Sequence, residues 1–111
     1  MSGTTEQLTQ VINEVLEAGK AKDITVLDVK EMTSITDHMV VASATSSRHL
    51  KALANAVVSD VKERGFEVLG VEGEASAEWI LVDMADVILH VMLPDTREFY
   101  NLEKFWSMPA A

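Results

Sequence analysis

A chain of 111 residues has room for one domain and, by size alone, none for a second. It contains no cysteine, which excludes a disulfide framework, a thiolate zinc site and a thiol nucleophile. Eighteen Asp and Glu stand against nine Lys and Arg, a formal net charge of -9, so direct binding to nucleic-acid phosphates is disfavoured while a basic protein partner is attracted. No apolar run approaches the roughly twenty residues a membrane helix needs. The start, Met1 to Glu6, lacks the charged and apolar blocks of a secretion signal, so a cytoplasmic location is expected.

Leu8, Val11, Ile12, Val15 and Leu16 recur at steps of three and four, which predicts a helix from about Thr4 or Thr5 to Gly19. Ile24 to Val29 and Met39 to Ala42 read as strands, the second deeply buried. Thr45-Ser46-Ser47 offers hydroxyl caps ahead of Leu50, Leu53, Ala54, Val57, Val58 and Val61, a helix that Gly65 ends. Phe66 to Val71 is expected to be a third strand, followed by a polar turn through Glu72 to Ala77.

Trp79 to Val82 and Val87 to Leu93 flank Asp83-Met84-Ala85-Asp86, a spacing that suits a hairpin with a four-residue loop. That loop would set Val82 opposite Val87 and Trp79 opposite His90. The two-residue period then sorts Ile80, Val82, Val87, Leu89 and Val91 onto one face, and Trp79, Leu81, Ile88, His90 and Met92 onto the other. Pro94 can open a last helix, with Phe99, Leu102, Phe105 and Trp106 as its apolar side. The expected fold class is α/β: a mixed sheet of about five strands with helices packed on it. The domain's core runs from about residue 8 to 106, and residues 107–111 are expected to fray.

The first hairpin face is uniformly branched aliphatic, as a helix-covered surface should be. The second mixes an indole, an imidazole and a thioether, which suits a contact surface with polar handles. Trp79, His90 and Met92 are therefore candidate partner-binding residues, against the alternative that Trp79 closes the core edge over a satisfied His90. An exposed His90 would add pH sensitivity near neutrality. Near the C-terminus, Phe99 and Phe105 are assigned to sealing the core, whereas Tyr100 and Trp106 each carry a polar group that wants water or a partner.

The helix start Ser46-Ser47-Arg48 has the type of a phosphate-holding site, which would suit a small transferase or hydrolase, but capping alone explains its hydroxyls. No glycine fingerprint for a nucleotide appears, no histidines pair at ligand spacing, and no serine elbow is present. Asp83 and Asp86 suit turn chemistry rather than catalysis. The residues thus suggest no enzyme, no metal and no cofactor. A third possibility is a self-associating scaffold, a homodimer whose aromatic face pairs with its own copy.

Several segments, in order, resemble the iojap-like ribosomal silencing factors: Lys22-Asp23-Ile24 leading to Leu27-Asp28-Val29, Ser34-Ile35-Thr36-Asp37, Thr45-Ser46-Ser47-Arg48-His49, and Gly70-Val71-Glu72-Gly73-Glu74. Trp79 to Asp83, Asp86 to Met92, and Tyr100-x-Leu102-Glu103-Lys104-x-Trp106 complete the series, which runs from about Leu8 to Trp106. Two positions depart from the family's pattern: Ala85 stands where a glycine is usual between two acidic turn residues, and His38 replaces a residue that is often another ring or a small side chain.

The resemblance implies a fold related to the nucleotidyltransferases without their activity, and indeed no Gly-Ser turn precedes an Asp-x-Asp or Asp-x-Glu here. It also implies a role in holding the large ribosomal subunit apart from the small one, through a large-subunit ribosomal protein, the one numbered fourteen, on the intersubunit face. On this reading the Trp79, His90 and Met92 face, extended by Asp83, Tyr100 and Trp106, docks on that basic protein, and the acidic remainder blocks the small subunit.

Overall fold

A computed structural model describes residues 4–107. The elements in chain order are α1 (Thr5–Ala18), β1 (Lys22–Asp28), β2 (His38–Ser43), α2 (Ser47–Glu63), β3 (Gly70–Glu72), β4 (Trp79–Asp83), β5 (Val87–Met92), α3 (Pro94–Tyr100) and α4 (Leu102–Ser107). The strands form one five-stranded sheet in the order β1-β2-β5-β4-β3. Only the central β2–β5 pair is parallel; the other neighbours run antiparallel. The expected mixed α/β sheet is therefore what the chain forms. Of the tail expected to fray, residues 108–111 lie outside the described residues, and Ser107 ends α4.

Local chemistry sets the helix ends. Thr4 caps α1 in a reciprocal box: its hydroxyl accepts the Gln7 N–H at 3.1 Å, and the Gln7 carboxamide accepts the Thr4 N–H at 2.8 Å. Ser46 caps α2 by accepting the His49 N–H at 3.1 Å. His49 then ties the two helices together. Its Nδ1 accepts the Thr45 N–H at 3.0 Å, which leaves the ring proton on Nε2 to be donated to the Gly19 carbonyl at 2.7 Å.

Helices α1 and α2 lie on one face of the sheet. Leu8, Ile12 and Leu16 of α1 and Leu50, Leu53 and Val57 of α2 pack there with Val40, Ala42, Ile80, Val82, Val87, Leu89 and Val91. The aliphatic side of the hairpin is thus the helix-covered side, as its two-residue period predicts. The opposite face carries a smaller apolar strip, Val29, Met39, Val41 and Met92, covered by Leu102 and Trp106 of α4. Beyond that strip, Leu81 and Ile88 remain half-buried.

Four details differ from the sequence-based expectation. The hairpin is tighter: Val82 pairs with Leu89 and Trp79 with Met92, because Met84 N–H donates to the Val87 carbonyl and the turn closes over Ala85 and Asp86. The displacement is by two residues, so every side chain keeps its face. The third strand spans only Gly70–Glu72, since Phe66 and Val68 pack against the core without joining the ladder. The last helix is two helices, broken at Asn101, which takes the left-handed conformation with φ 49°. That break turns α4 so that Leu102 and Trp106, one helical turn apart, face the sheet, and Phe99 and Phe105 are 79% and 65% exposed rather than sealed in.

Ala85 also sits in the left-handed region, at φ 65°, where an L-residue costs roughly 1–2 kcal/mol. Asp83 offsets part of that cost by accepting the Ala85 N–H at 3.0 Å. Replacing Ala85→Gly should raise stability by about 0.5–1 kcal/mol in urea denaturation, because the strain relieved exceeds the added freedom of the unfolded chain. A lower midpoint in the variant would show that the turn is not strained.

Candidate functional site

On the sheet face opposite α1 and α2, the β4–β5 surface carries the half-buried side chains of Trp79, Leu81 and Ile88. Its central feature is a hydrogen bond between side chains: the Trp79 indole N–H donates to His90 Nδ1 at 2.9 Å. His90 is 5% exposed, and burial lowers its pKa from the ordinary 6.5 to about 4. The imidazole is therefore neutral at physiological pH, with Nδ1 as acceptor and its proton on Nε2. One edge of the indole is held by a fixed acceptor, and the rest of the ring is half-buried.

Tyr100 meets Trp79 in a second tilted ring contact. Their ring centres are 4.8 Å apart at 49°, and Phe99 meets Tyr100 edge-on at 5.0 Å. The result is a run of three rings, Trp79, Tyr100 and Phe99, leading from β4 out along α3. Below it, a glycine makes the approach of the β3–β4 turn possible. Gly73 adopts φ +92°, and a Cβ there would sit 2.0 Å from the Trp79 carbonyl oxygen.

Of the six residues singled out from the sequence, the structure brings Trp79, His90 and Tyr100 into one contiguous group, with Met92 beside them as the ladder partner of Trp79. Their exposure differs from the expectation. Met92 is fully buried and His90 nearly so, so in this conformation they support the surface from beneath. Tyr100 is 53% exposed. Asp83 lies at the far end of β4 on the same face, paired with Ile88, its carboxylate engaged by the turn. Trp106 is half-buried and covers the Val29, Met39, Val41 and Met92 strip, meeting Phe105 edge-on at 5.2 Å. The buried imidazole removes the basis for pH sensitivity near neutrality.

Sequence reasoning missed the polar anchor of this region. Arg97, with an 11% exposed side chain, donates from Nε to Glu103 at 2.7 Å, from one terminal nitrogen to Ser43 Oγ at 2.8 Å and from the other to Thr25 Oγ1 at 3.2 Å. The guanidinium holds the Glu103 carboxyl below its usual range, against a smaller opposing effect of burial. Arg97 and Glu103 are six residues apart, which is not a helical contact spacing, and Thr25 and Ser43 are remote in sequence. No local pattern could have joined them.

The segment that carries β3, β4 and β5 has one sign of charge. Every Asp, Glu, Lys or Arg from Gly65 to Thr96 is acidic: Glu67, Glu72, Glu74, Glu78, Asp83, Asp86 and Asp95. The positive charge of Arg97 that follows is already spent on Glu103. An aromatic surface in an acidic setting suits a partner that presents cationic and apolar groups together. The Ser46 hydroxyl, by contrast, is occupied as a helix cap. Among the described residues no group of three or more His, Asp or Glu is arranged to hold a metal ion, and no helix is long and apolar enough to cross a membrane.

The family model described as ribosomal silencing factor during starvation matches residues 2–110. The chain belongs to the ribosomal silencing factor family. A ribosomal silencing factor of Chromobacterium violaceum is 45% identical over 102 residues, covering 92% of this chain and 84% of that protein. The crystal structure of a Chromobacterium violaceum protein superposes with a TM-score of 0.93 at 41% identity, covering 98% of this chain and 91% of that one. A mouse protein named for mitochondrial assembly of the ribosomal large subunit is 37% identical over 97 residues, covering 85% of this chain and 42% of its own length. As a member of this silencing-factor family the chain is a ribosome-associated regulator rather than a known enzyme.

The depressed pKa of His90 makes stability depend on pH. The unfolded chain takes up the proton near pH 6.5 and the folded one only near 4, so His90 destabilises the fold progressively as pH falls between those values. The full effect is on the order of 3 kcal/mol, from about 1.4 kcal/mol for each unit of displacement. Unfolding free energy measured from pH 7 to 4 should fall more steeply in the parent protein than in His90→Gln, which keeps an acceptor for the indole but does not titrate. Equal slopes would mean that the imidazole is not held neutral.

Proposed function

We propose that this family member binds a basic ribosomal protein on the intersubunit face of the large ribosomal subunit and sterically blocks joining of the small subunit, so repressing translation. The observation that carries the reading is the Trp79–Tyr100 ring pair, half-open on the sheet face away from α1 and α2, next to a stretch of chain from Gly65 to Thr96 in which every Asp, Glu, Lys or Arg is acidic. The family description and the name of the mouse relative support a ribosomal, large-subunit partner. The proposed docking residues are Trp79 and Tyr100 at the centre, Asp83 and Trp106 at the margins, and His90 and Met92 as the support beneath.

The physical sequence is simple. The negative field steers the domain toward a basic protein and accelerates encounter. The aromatic pair then supplies the desolvated centre of the contact, and an interface of standard size takes about 800 Å² from each partner. Once docked, the remaining acidic surface of this chain of net charge -9 faces the approach of small-subunit RNA, adding like-charge repulsion to bulk. No reaction or cofactor enters. The site of action on this reading is the cytoplasm, and a homodimer made through the same rings would compete with docking.

Truncating a central aromatic commonly costs about 2 kcal/mol or more, which is above tenfold in affinity. Tyr100→Ala is the cleaner variant because its ring is mostly outside the fold. Trp79→Ala also leaves His90 Nδ1 without its donor, at about 1–3 kcal/mol of stability. Both should lose co-sedimentation with isolated large subunits while keeping their far-ultraviolet circular dichroism, and binding of the parent protein should weaken from low to high salt. Unchanged co-sedimentation of both folded variants would rule out this face as the docking surface.

A further inference from the structure

We infer that Arg97 is the positioning residue of the docking face: its clasp on Glu103, Ser43 and Thr25 holds Tyr100 against Trp79 and thereby sets affinity for the partner. The inference rests on the docking reading above for its functional consequence, but its structural part stands on the geometry of α3.

Helix α3 has seven residues, too short to persist alone, and none of its residues is buried. Its N-cap, Leu93, makes no side-chain capping bond. Apolar packing therefore does little to hold α3, yet Tyr100 at its last position must stay within stacking distance of Trp79. Arg97 supplies the missing attachment, one turn before Tyr100. Its planar guanidinium reaches three separate elements at once: β1 through Thr25, the end of β2 through Ser43, and α4 through Glu103. Ser43 is itself buried and is the ladder partner of Met92, so the clasp refers α3 to the same strands that carry the site.

The same residue also closes the joint between the two short helices. The Asn101 N–H donates to the Arg97 carbonyl at 2.8 Å, which stabilises the left-handed residue between α3 and α4. With the joint fixed, Leu102 and Trp106 plug the apolar strip while Tyr100 is presented beside it. A lysine at 97 would keep the charge but lose the planar fork needed for three divergent partners. Arg97 thus has the role of a strut: it is nearly inaccessible to a partner, its charge is neutralised internally, and its effect on binding passes through Tyr100.

The test uses the full chain with isolated large subunits and two readouts, affinity and the nuclear Overhauser contact between the Tyr100 and Trp79 rings. Arg97→Lys and Arg97→Gln should lose the ring contact, keep the downfield indole N–H signal of Trp79 bound to His90, and bind about tenfold more weakly, in the range of Tyr100→Ala. Arg97→Gln combined with Tyr100→Ala should bind no more weakly than Tyr100→Ala alone, since both remove one interaction. Glu103→Gln, at a more accessible partner, repeats the measurement if the arginine variants do not fold. The inference is overturned if folded variants keep the ring contact, if the two losses add, or if Arg97→Gln and Glu103→Gln both unfold, which would make the clasp a requirement of folding alone. Should Tyr100→Ala and Trp79→Ala both bind normally, the docking reading falls, and the ring contact alone then decides whether Arg97 positions Tyr100.

Discussion

The arrangement of this protein's open face depends on one part-buried hydrogen bond, from the Trp79 indole to a neutral His90. An imidazole in that place is expensive to charge, and burial keeps it uncharged at the pH of the cell. Being neutral, it has a lone pair to offer, and the indole N–H is its natural donor. A large aromatic ring is thereby held at a fixed tilt on a sheet surface without being swallowed by the core. Gly73 allows the neighbouring turn to pass directly over the Trp79 backbone, and Met92 fills the space beneath. Each of these residues acts on the ring's orientation, and none of them needs to meet a partner itself.

The two faces of the sheet divide the work. One is a continuous aliphatic layer under α1 and α2, which supplies most of the buried apolar surface and hence most of the stability. The other is only partly closed by α4. Two short helices bent at Asn101 would be poor material for a cover, but a single arginine with three partners joins them to the strands. Most of the stability and the proposed contact surface thus fall on opposite sides of one sheet, and in the segment from Gly65 to Thr96, which carries β3, β4 and β5, every Asp, Glu, Lys or Arg is acidic.

Much of this division was legible in the sequence. The period of two in Ile80, Val82, Val87, Leu89 and Val91 identified the covered face, and it survived an error in hairpin register because the error was even-numbered. The strained turn was foreshadowed by Ala85 at a position where the resembling family has glycine. What escaped was set by long-range contact. Apolar spacing assigned Phe99 and Phe105 to the core because nothing local showed that Asn101 would reset the helical phase. Arg97, Glu103, Thr25 and Ser43 carry ordinary polar side chains, and their association exists only once β1, β2 and α4 are assembled. Met92 is buried in the strip that Leu102 and Trp106 of α4 cover, and His90 lies buried beside Trp79, so their residue types suggested contact where the fold makes support.

Site-specific photocross-linking tests the central claim most directly, because it reports which face meets the ribosome without disturbing the Trp79–His90 bond. A photoreactive phenylalanine analogue at exposed Phe99 is predicted to label one basic protein of the large subunit, while the same group at exposed Ala52 on α2 labels none. Labelling from Ala52 with silence from Phe99 would place the contact on the opposite side of the molecule and contradict the account.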